Sequence, residues 1–354
     1  MAPSLALAKD FSTFKARPPL HVYASSLAAP SGLAPADIKK VYNLPASGGA
    51  GTIAIIAAQD DPNVEADLNF FSGYFHLPAC TTKNKCFEKH LMDKNIKADA
   101  GWSLETSMDV EWSHAIAPNA KILLVEALSA SGTDLLKAVD YARGRKDVVA
   151  ISMSWGGDEF KTETDLENHF VSQYGATFFA SSGDNGTGAS WPAVSAHVVA
   201  VGGTHLNFTS KNNFLSEKAW TGSGGGVSAY IPAPAFQTAY SLSKAKGMRA
   251  IPDVSYNADP ASGFSVYDSY GYNKQKGWFT LGGTSAGAPQ WAAIKALGNS
   301  ASNEKFYQDK ATDANASFFR DITSGQNGDC GYFCTARKHF DYVTGLGSPL
   351  TVKF

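Results

Sequence analysis

A chain of 354 residues is long enough to bury a large core without having to divide into two domains. Its balance of 44% apolar and 18% charged residues is globular and excludes disorder for most of the length. A formal net charge of −2 with no basic run removes the electrostatic case for nucleic acid, and no apolar stretch reaches the roughly 20 residues that cross a bilayer.

Residues 1–35 are rich in Ala, Pro, Ser and Lys without periodicity, so they read as a flexible N-terminal arm or processed remnant outside the core. Residues 36–354 read as a single domain. Short apolar runs bounded by Gly, Asn or Asp at 52–58, 121–127, 148–154, 177–180 and 198–201 predict buried parallel strands. Between them, segments 63–75, 103–115, 134–143 and 164–174 carry apolar residues three and four apart and predict helices. That alternation implies an α/β sandwich with a mostly parallel central sheet. Residues 222–268, dense in Gly, Pro, Ser and Tyr, predict loops and ribbons over the sheet edge before a last strand-to-helix unit at 278–297.

Four cysteines form two tight local pairs along the chain, Cys80 with Cys86 and Cys330 with Cys334. Three connectivities are open; local pairing is the simplest and suits an oxidising compartment. Asn-x-Ser/Thr triplets at Asn185, Asn207 and Asn315 agree with export, so a secreted protein is expected.

The sharpest local feature is Gly282-Gly283-Thr284-Ser285-Ala286-Gly287-Ala288-Pro289, an apolar strand ending in a glycine turn before an Ala-rich helix. A serine there meets unpaired backbone N–H groups able to stabilise an oxyanion, although a plain helix cap reads as well from these residues alone. The serine needs a base. His114 and His205 lie in no catalytic context, which turns the search to carboxylates. Glu105 and Asp109, four apart on a predicted helix, share one face; like charges so placed repel unless they share a proton. The flanking Trp102, Leu104, Met108 and Trp112 predict a buried helix, and Glu111 points elsewhere. Ser182-Gly183-Asp184 follows the strand at 177–180, at the strand end where ligand sites of parallel sheets gather, though the same residues would make an ordinary turn.

Together, Glu-x-x-x-Asp, Ser-Gly-Asp and Gly-Thr-Ser-x-x-x-Pro, in that order, resemble the signatures of the sedolisin family, the serine-carboxyl peptidases. The resemblance runs from about Leu33 through Phe354 and includes Ile151-Ser-Met-Ser-Trp-Gly156 and Gly222-Ser-Gly-Gly-Gly-Val-Ser228. It implies a subtilisin-like three-layer α/β/α fold and an acid-active peptidase. Ser285 would be the nucleophile, Glu105 the general base and acid, Asp109 its orienting partner and Asp184 the side-chain member of the oxyanion hole. A peptide or denatured-protein substrate would lie extended between Ser154, Trp155, Gly156 and the glycine run at Gly224 and Gly225. A monomer is expected, and the resemblance further implies a large N-terminal prodomain, either removed on maturation or lacking in this member, and a secreted or lysosome-like acidic location. It leaves endopeptidase and tripeptidyl-peptidase action both open. A catalytically inactive peptide-binding relative and a histidine-dependent subtilase are the competing readings.

The resemblance also implies one Ca²⁺ ion, held by the carboxylates of Asp321 and Asp341 and the carbonyls of Ile322, Arg337 and His339. The family's Gly-x-Gly-x-Asp arm is here Arg337-Lys-His-Phe-Asp341, with cationic groups and no glycines beside the dication.

Overall fold

The computed structural model describes residues 11–209, 213–298, 300–311 and 318–352; the Asn315 triplet lies outside the described residues. An eight-stranded sheet runs in the order Phe214–Ala219, Val198–Phe208, Thr177–Ser181, Val148–Met153, Thr52–Ala58, Lys121–Ala127, Phe87–Leu91, with Val254–Asn257 also paired to Val198–Phe208. Neighbours are parallel except Phe214–Ala219, which runs antiparallel. Every residue of Thr52–Ala58 is buried, which explains why this central strand is a continuous apolar run and not an alternation. With helices against it, the sheet forms a subtilisin-like α/β/α sandwich.

Two helices decide where the chemistry sits. Asp99 caps Ala100–Ile116, its carboxylate accepting from Gly101 N and Trp102 N at 3.0 Å each, and residues 102–116 are buried throughout. Gly287–Ala296 packs beside it, and its Ala-rich sequence allows the close approach. Gly132–Arg143, capped by Ser131, keeps one polar face and is the amphipathic surface helix of the fold.

The structure differs from the sequence pattern at three places. Segment 164–174 forms only the 3-10 run Glu163–Phe170, tied at both ends because Phe160 and Phe170 pack on the same indole, Trp191. The edge strand Phe87–Leu91 carries Glu, Lys and His; Lys89 is accommodated by the carboxylates of Asp60 and Glu126, the latter 3.2 Å away. Residues 11–34, expected outside the core, instead pack on it. Phe14 and Ala16 are buried, and His21–Ser26 pairs antiparallel with Gln275–Gly282. Both local disulfides form, Cys80–Cys86 and Cys330–Cys334.

Beneath the sheet end lies a fully buried ion pair. Arg249 Nη1 donates to Asp253 Oδ1 at 2.7 Å, Tyr307 OH to the same oxygen at 2.9 Å, and Ala200 N to Oδ2 at 2.8 Å. Removing one partner strands the other charge in the core, so Asp253→Ala should lower unfolding free energy by about 3–5 kcal/mol. Denaturant unfolding checks this; a loss below about 1 kcal/mol would mean that Arg249 finds another partner.

Candidate active site

Ser285 stands where the strand Gln275–Gly282 gives way to Gly287–Ala296, in the short turn Thr284–Ala286. Gly283 makes the junction at φ 137°, and a Cβ there would lie 2.0 Å from the Pro19 carbonyl oxygen and 2.7 Å from Asp184 Oδ2. Any side chain would collide, so the glycine is a geometric requirement.

Asp184 follows the strand Thr177–Ser181 in a loop that turns at Gly183, φ 105°. Its side chain is 6% exposed, and Oδ1 accepts from Thr284 N and Oγ1 at 2.8 Å each. The Thr284 hydroxyl accepts from Gly183 N at 3.0 Å, so the two loops hold each other. Burial raises the Asp184 pKa above its ordinary value, and the nearby His21 imidazole and the hydrogen bonds from Thr284 oppose the rise.

Glu105 and Asp109 project from one face of Ala100–Ile116, each 1% exposed. Ser154 Oγ donates to Asp109 Oδ1 at 2.8 Å and lies 3.0 Å from the Ser285 carbonyl oxygen, so one hydroxyl ties Asp109 to the Ser285 backbone. Burial pushes the Glu105 pKa well up, and the Asp109 and Asp184 charges add to this. Burial likewise lifts Asp109, against the Ser154 hydroxyl. Two carboxyls so placed favour one shared proton over two charges. Neither Glu105 oxygen has a hydrogen-bond partner among the described residues, because the Ser285 hydroxyl donates instead to Pro19 O at 2.7 Å.

The remaining titratable candidates are engaged elsewhere. Glu111 accepts from Tyr267 N at 3.1 Å, His114 Nε2 lies 2.7 Å from Pro78 O, and His205 Nδ1 lies 2.9 Å from Asp259 Oδ2. His21, which sequence reasoning passed over with the arm, places Nε2 3.1 Å from Asp184 Oδ2. No local pattern marked it, since only the fold brings residue 21 to residue 184.

A cavity of about 780 Å³ adjoins Asp184, its lining including Pro19, His21, Gly156, Asp158, Gly183, Ser190 and Gly224. Of the residues expected to touch substrate, Gly156 offers its backbone to the cleft and Gly224 lines the cavity while donating to Gly183 O at 2.7 Å. Ser154 and Trp155 turn inward; Trp155 is fully buried and donates to Ile56 O at 3.0 Å. Gly225 supports the loop from behind, accepting from Gly188 N at 2.8 Å.

Both C-terminal aspartates accept hydrogen bonds from the loop that follows Ala336. Asp341, 2% exposed, accepts from Arg337 N at 2.9 Å and from Val343 N and Thr344 N at 2.8 Å; Asp321 Oδ2 accepts from His339 N at 2.8 Å. Asp321 Oδ1 is buried without a partner among the described residues.

Fold and constellation define a subtilisin-like framework in which a serine is set beside buried carboxylates. A model of the subtilase family matches residues 97–317. Sedolisin of Pseudomonas sp. (strain 101) is 28% identical over 285 residues, 70% of this chain and 47% of that protein. Kumamolisin of Bacillus sp. (strain MN-32) is 31% identical over 288 residues, 70% of this chain and 50% of that protein. The solved structure of Pseudomonas sedolisin, described as a serine-carboxyl proteinase complexed with two molecules of pseudo-iodotyrostatin, aligns with a TM-score of 0.75 and 28% identity. It covers 91% of this chain, which in turn covers 96% of it. The chain spans about half the length of the curated relatives it matches. It belongs to the subtilase family and, within it, groups with the sedolisins.

Proposed function

We propose that the chain is an acid-active serine-carboxyl peptidase. The observation that supports this is that Asp184 is bonded to Thr284 beside Ser285 and that Ser154 links the buried Asp109, which shares a helix face with Glu105, to the Ser285 backbone, with no imidazole bonded to Ser285 among the described residues. In the reaction, Glu105 takes the Ser285 proton as Oγ attacks the peptide carbonyl, then returns it to the departing amine. Water hydrolyses the acyl-enzyme by the same route. Asp109, held by Ser154, keeps Glu105 oriented and shares its proton. Protonated Asp184 donates to the oxyanion; ionised, it would repel it.

Substrates are extended peptides or unfolded proteins, whose backbone pairs with Gly156. Buried carboxyls work as bases where an imidazole would already be charged, which suits an acidic, oxidising compartment outside the cytosol. No helix among the described residues is long and apolar enough to cross a membrane. The test is cleavage of a denatured protein from about pH 2 to about pH 9. Activity confined to acid pH is expected, and an optimum near neutrality would overturn the carboxylate mechanism.

The acidic pair fits a structural Ca²⁺ ion. Asp321 Oδ1 is an orphaned buried oxygen, and the Arg337 guanidinium is drawn off over the Tyr332 ring, 4.6 Å from its centroid, which relieves the charge conflict foreseen from the sequence. His339 takes up the turn itself, at φ 70°. Asp321 and Asp341, with the carbonyls of Ile322, Arg337 and His339, would hold the ion and clamp the C-terminal loops. Chelation is expected to lower the Tm by several degrees, with calcium restoring it. An unchanged Tm and no calcium in a carefully prepared sample would remove the site.

A further inference from the structure

The Cys330–Cys334 disulfide closes a small hairpin that reaches the loop carrying Asp184. Gln326 and Thr335 face each other across an antiparallel bridge, and Asn327 N donates to Cys334 O at 3.0 Å. Ala336 N donates to Gly325 O at 3.0 Å, and the disulfide ties the two strands together at the tip.

Asn327, 4% exposed, holds two loops of the cleft at once. Its side chain donates from Nδ2 to Ser223 O at 2.7 Å, beside Gly224 of the cavity lining. Its backbone carbonyl accepts from Thr187 N at 3.1 Å, three residues after Asp184. The contact is close. At Gly186, φ 74°, a Cβ would lie 2.6 Å from Asn327 O, so only glycine lets the loop rest there. A Cβ on Gly328 would lie 3.2 Å from Cys334 Sγ and 3.4 Å from the Thr187 side chain. The Thr187 hydroxyl itself lies 3.7 Å from Cys330 Sγ.

The two loops are also joined directly, Gly186 N donating to Gly222 O at 2.9 Å and Gly188 N to Gly225 O at 2.8 Å. Asp184 is thus fixed at its carboxyl by Thr284, while the backbone that follows it is fixed by Asn327 and the glycine run. An oxyanion donor works only where its hydrogen points at the developing charge, and a displacement of about 1 Å costs on the order of a hundredfold in rate.

We propose that Asn327 is a positioning residue for Asp184, and that the disulfide-closed hairpin is the brace that keeps Asn327 against both loops. The catalytic consequence rests on the peptidase function proposed above; the brace itself does not. The other disulfide, Cys80–Cys86, closes a loop at the sheet's edge strand Phe87–Leu91 and serves as the internal control.

Hydrogen–deuterium exchange on the full chain carrying Ser285→Ala, read on peptides covering 185–188, tests the brace without activity. Adding Asn327→Ser should speed exchange there at least about tenfold and leave Thr52–Ala58 unchanged. Replacing the disulfide through Cys330→Ser with Cys334→Ser should do the same. With Ser285 intact, either change should lower kcat about ten- to hundredfold at the acid optimum and leave KM within about twofold. Inhibition by a peptide aldehyde, whose hemiacetal with Ser285 places its oxygen at the oxyanion site, should weaken by a similar factor. The corresponding peptide alcohol, which forms no adduct, should bind as before. Cys80→Ser with Cys86→Ser should lower the Tm and keep kcat.

Unchanged exchange at 185–188 in Asn327→Ser, an unaltered kcat in that variant, or an equal loss of kcat in both disulfide variants would overturn the inference. Asn327→Ser keeps the disulfide, so the first two results decide the matter even if the cysteine variant does not fold. Faster exchange in a chain that cleaves nothing would uphold the brace and remove the peptidase function instead.

Discussion

Ser285→Ala is expected to unfold at the same temperature as the parent chain and to hydrolyse denatured protein at least about 10⁴-fold more slowly at the acid optimum. Glu105→Gln should lose nearly as much, because an amide of the same shape can neither take the hydroxyl proton nor return it to the leaving amine. The two losses should not add in the double variant, since nucleophile and base act as one unit. Asp109→Asn should lose less, because in the proposed mechanism it only orients Glu105; its carboxylate is held by Ser154 at 2.8 Å. Initial rates beside thermal unfolding curves provide the measurement. Activity within about tenfold of the parent in either single variant would remove Ser285 or Glu105 from the mechanism.

The second large effect is on stability, which should be greater in acid than at neutral pH. Burial raises Asp61 to about 7, with the nearby charges of Asp268 and Asp67 adding to it, and raises Glu126 to about 8 against the pull of Lys89. A carboxyl whose folded pKa lies above its unfolded value holds its proton more tightly in the fold. Its stabilisation is complete below the unfolded value, near 4, and declines as pH rises through the folded one. The window is therefore about pH 4 to about pH 8. Asp61 alone, fully buried, contributes on the order of 4 kcal/mol across it. Half-exposed carboxylates such as Glu88 and Asp147, both lowered by hydrogen bonds from Arg145, act in the opposite sense but only below about pH 4. The Tm should thus fall by on the order of 5–10 °C between about pH 4.5 and about pH 8, and Asp61→Asn should flatten the curve. A Tm that rises over that interval would show that these carboxyls ionise in the fold without cost. The same acidity that protonates Asp184 for the oxyanion would then no longer be the acidity in which the molecule is most stable.

Much of the architecture was legible because its determinants are local. An unbroken apolar run such as 52–58 has no stable place except the middle of a parallel sheet, and Glu105 and Asp109 share a face by helical spacing alone. Gly283 before Ser285 announced a turn that no larger residue could make. Polar elements were harder to read. Phe87–Leu91 is held by an ion pair between Lys89 and residues far from it in sequence, so its strand character leaves no apolar signature. Trp155, expected from the sequence to offer its backbone to substrate, has a side chain that belongs to the core, because alternation along an extended chain turns it inward.

By itself, then, the sequence determined the layered α/β fold and which side chains could do chemistry, since helical and strand periods and glycine's conformational freedom act over a few residues. What only the tertiary structure decided is where distant segments meet. Asp184 comes to Thr284, Ser154 to Asp109, Asp321 to the 337–341 loop, and the N-terminal residues Phe14 and His21 to opposite ends of the cleft. Those encounters join residues tens to hundreds of positions apart, and they are set by how the whole sheet and its helices pack, which no local pattern encodes.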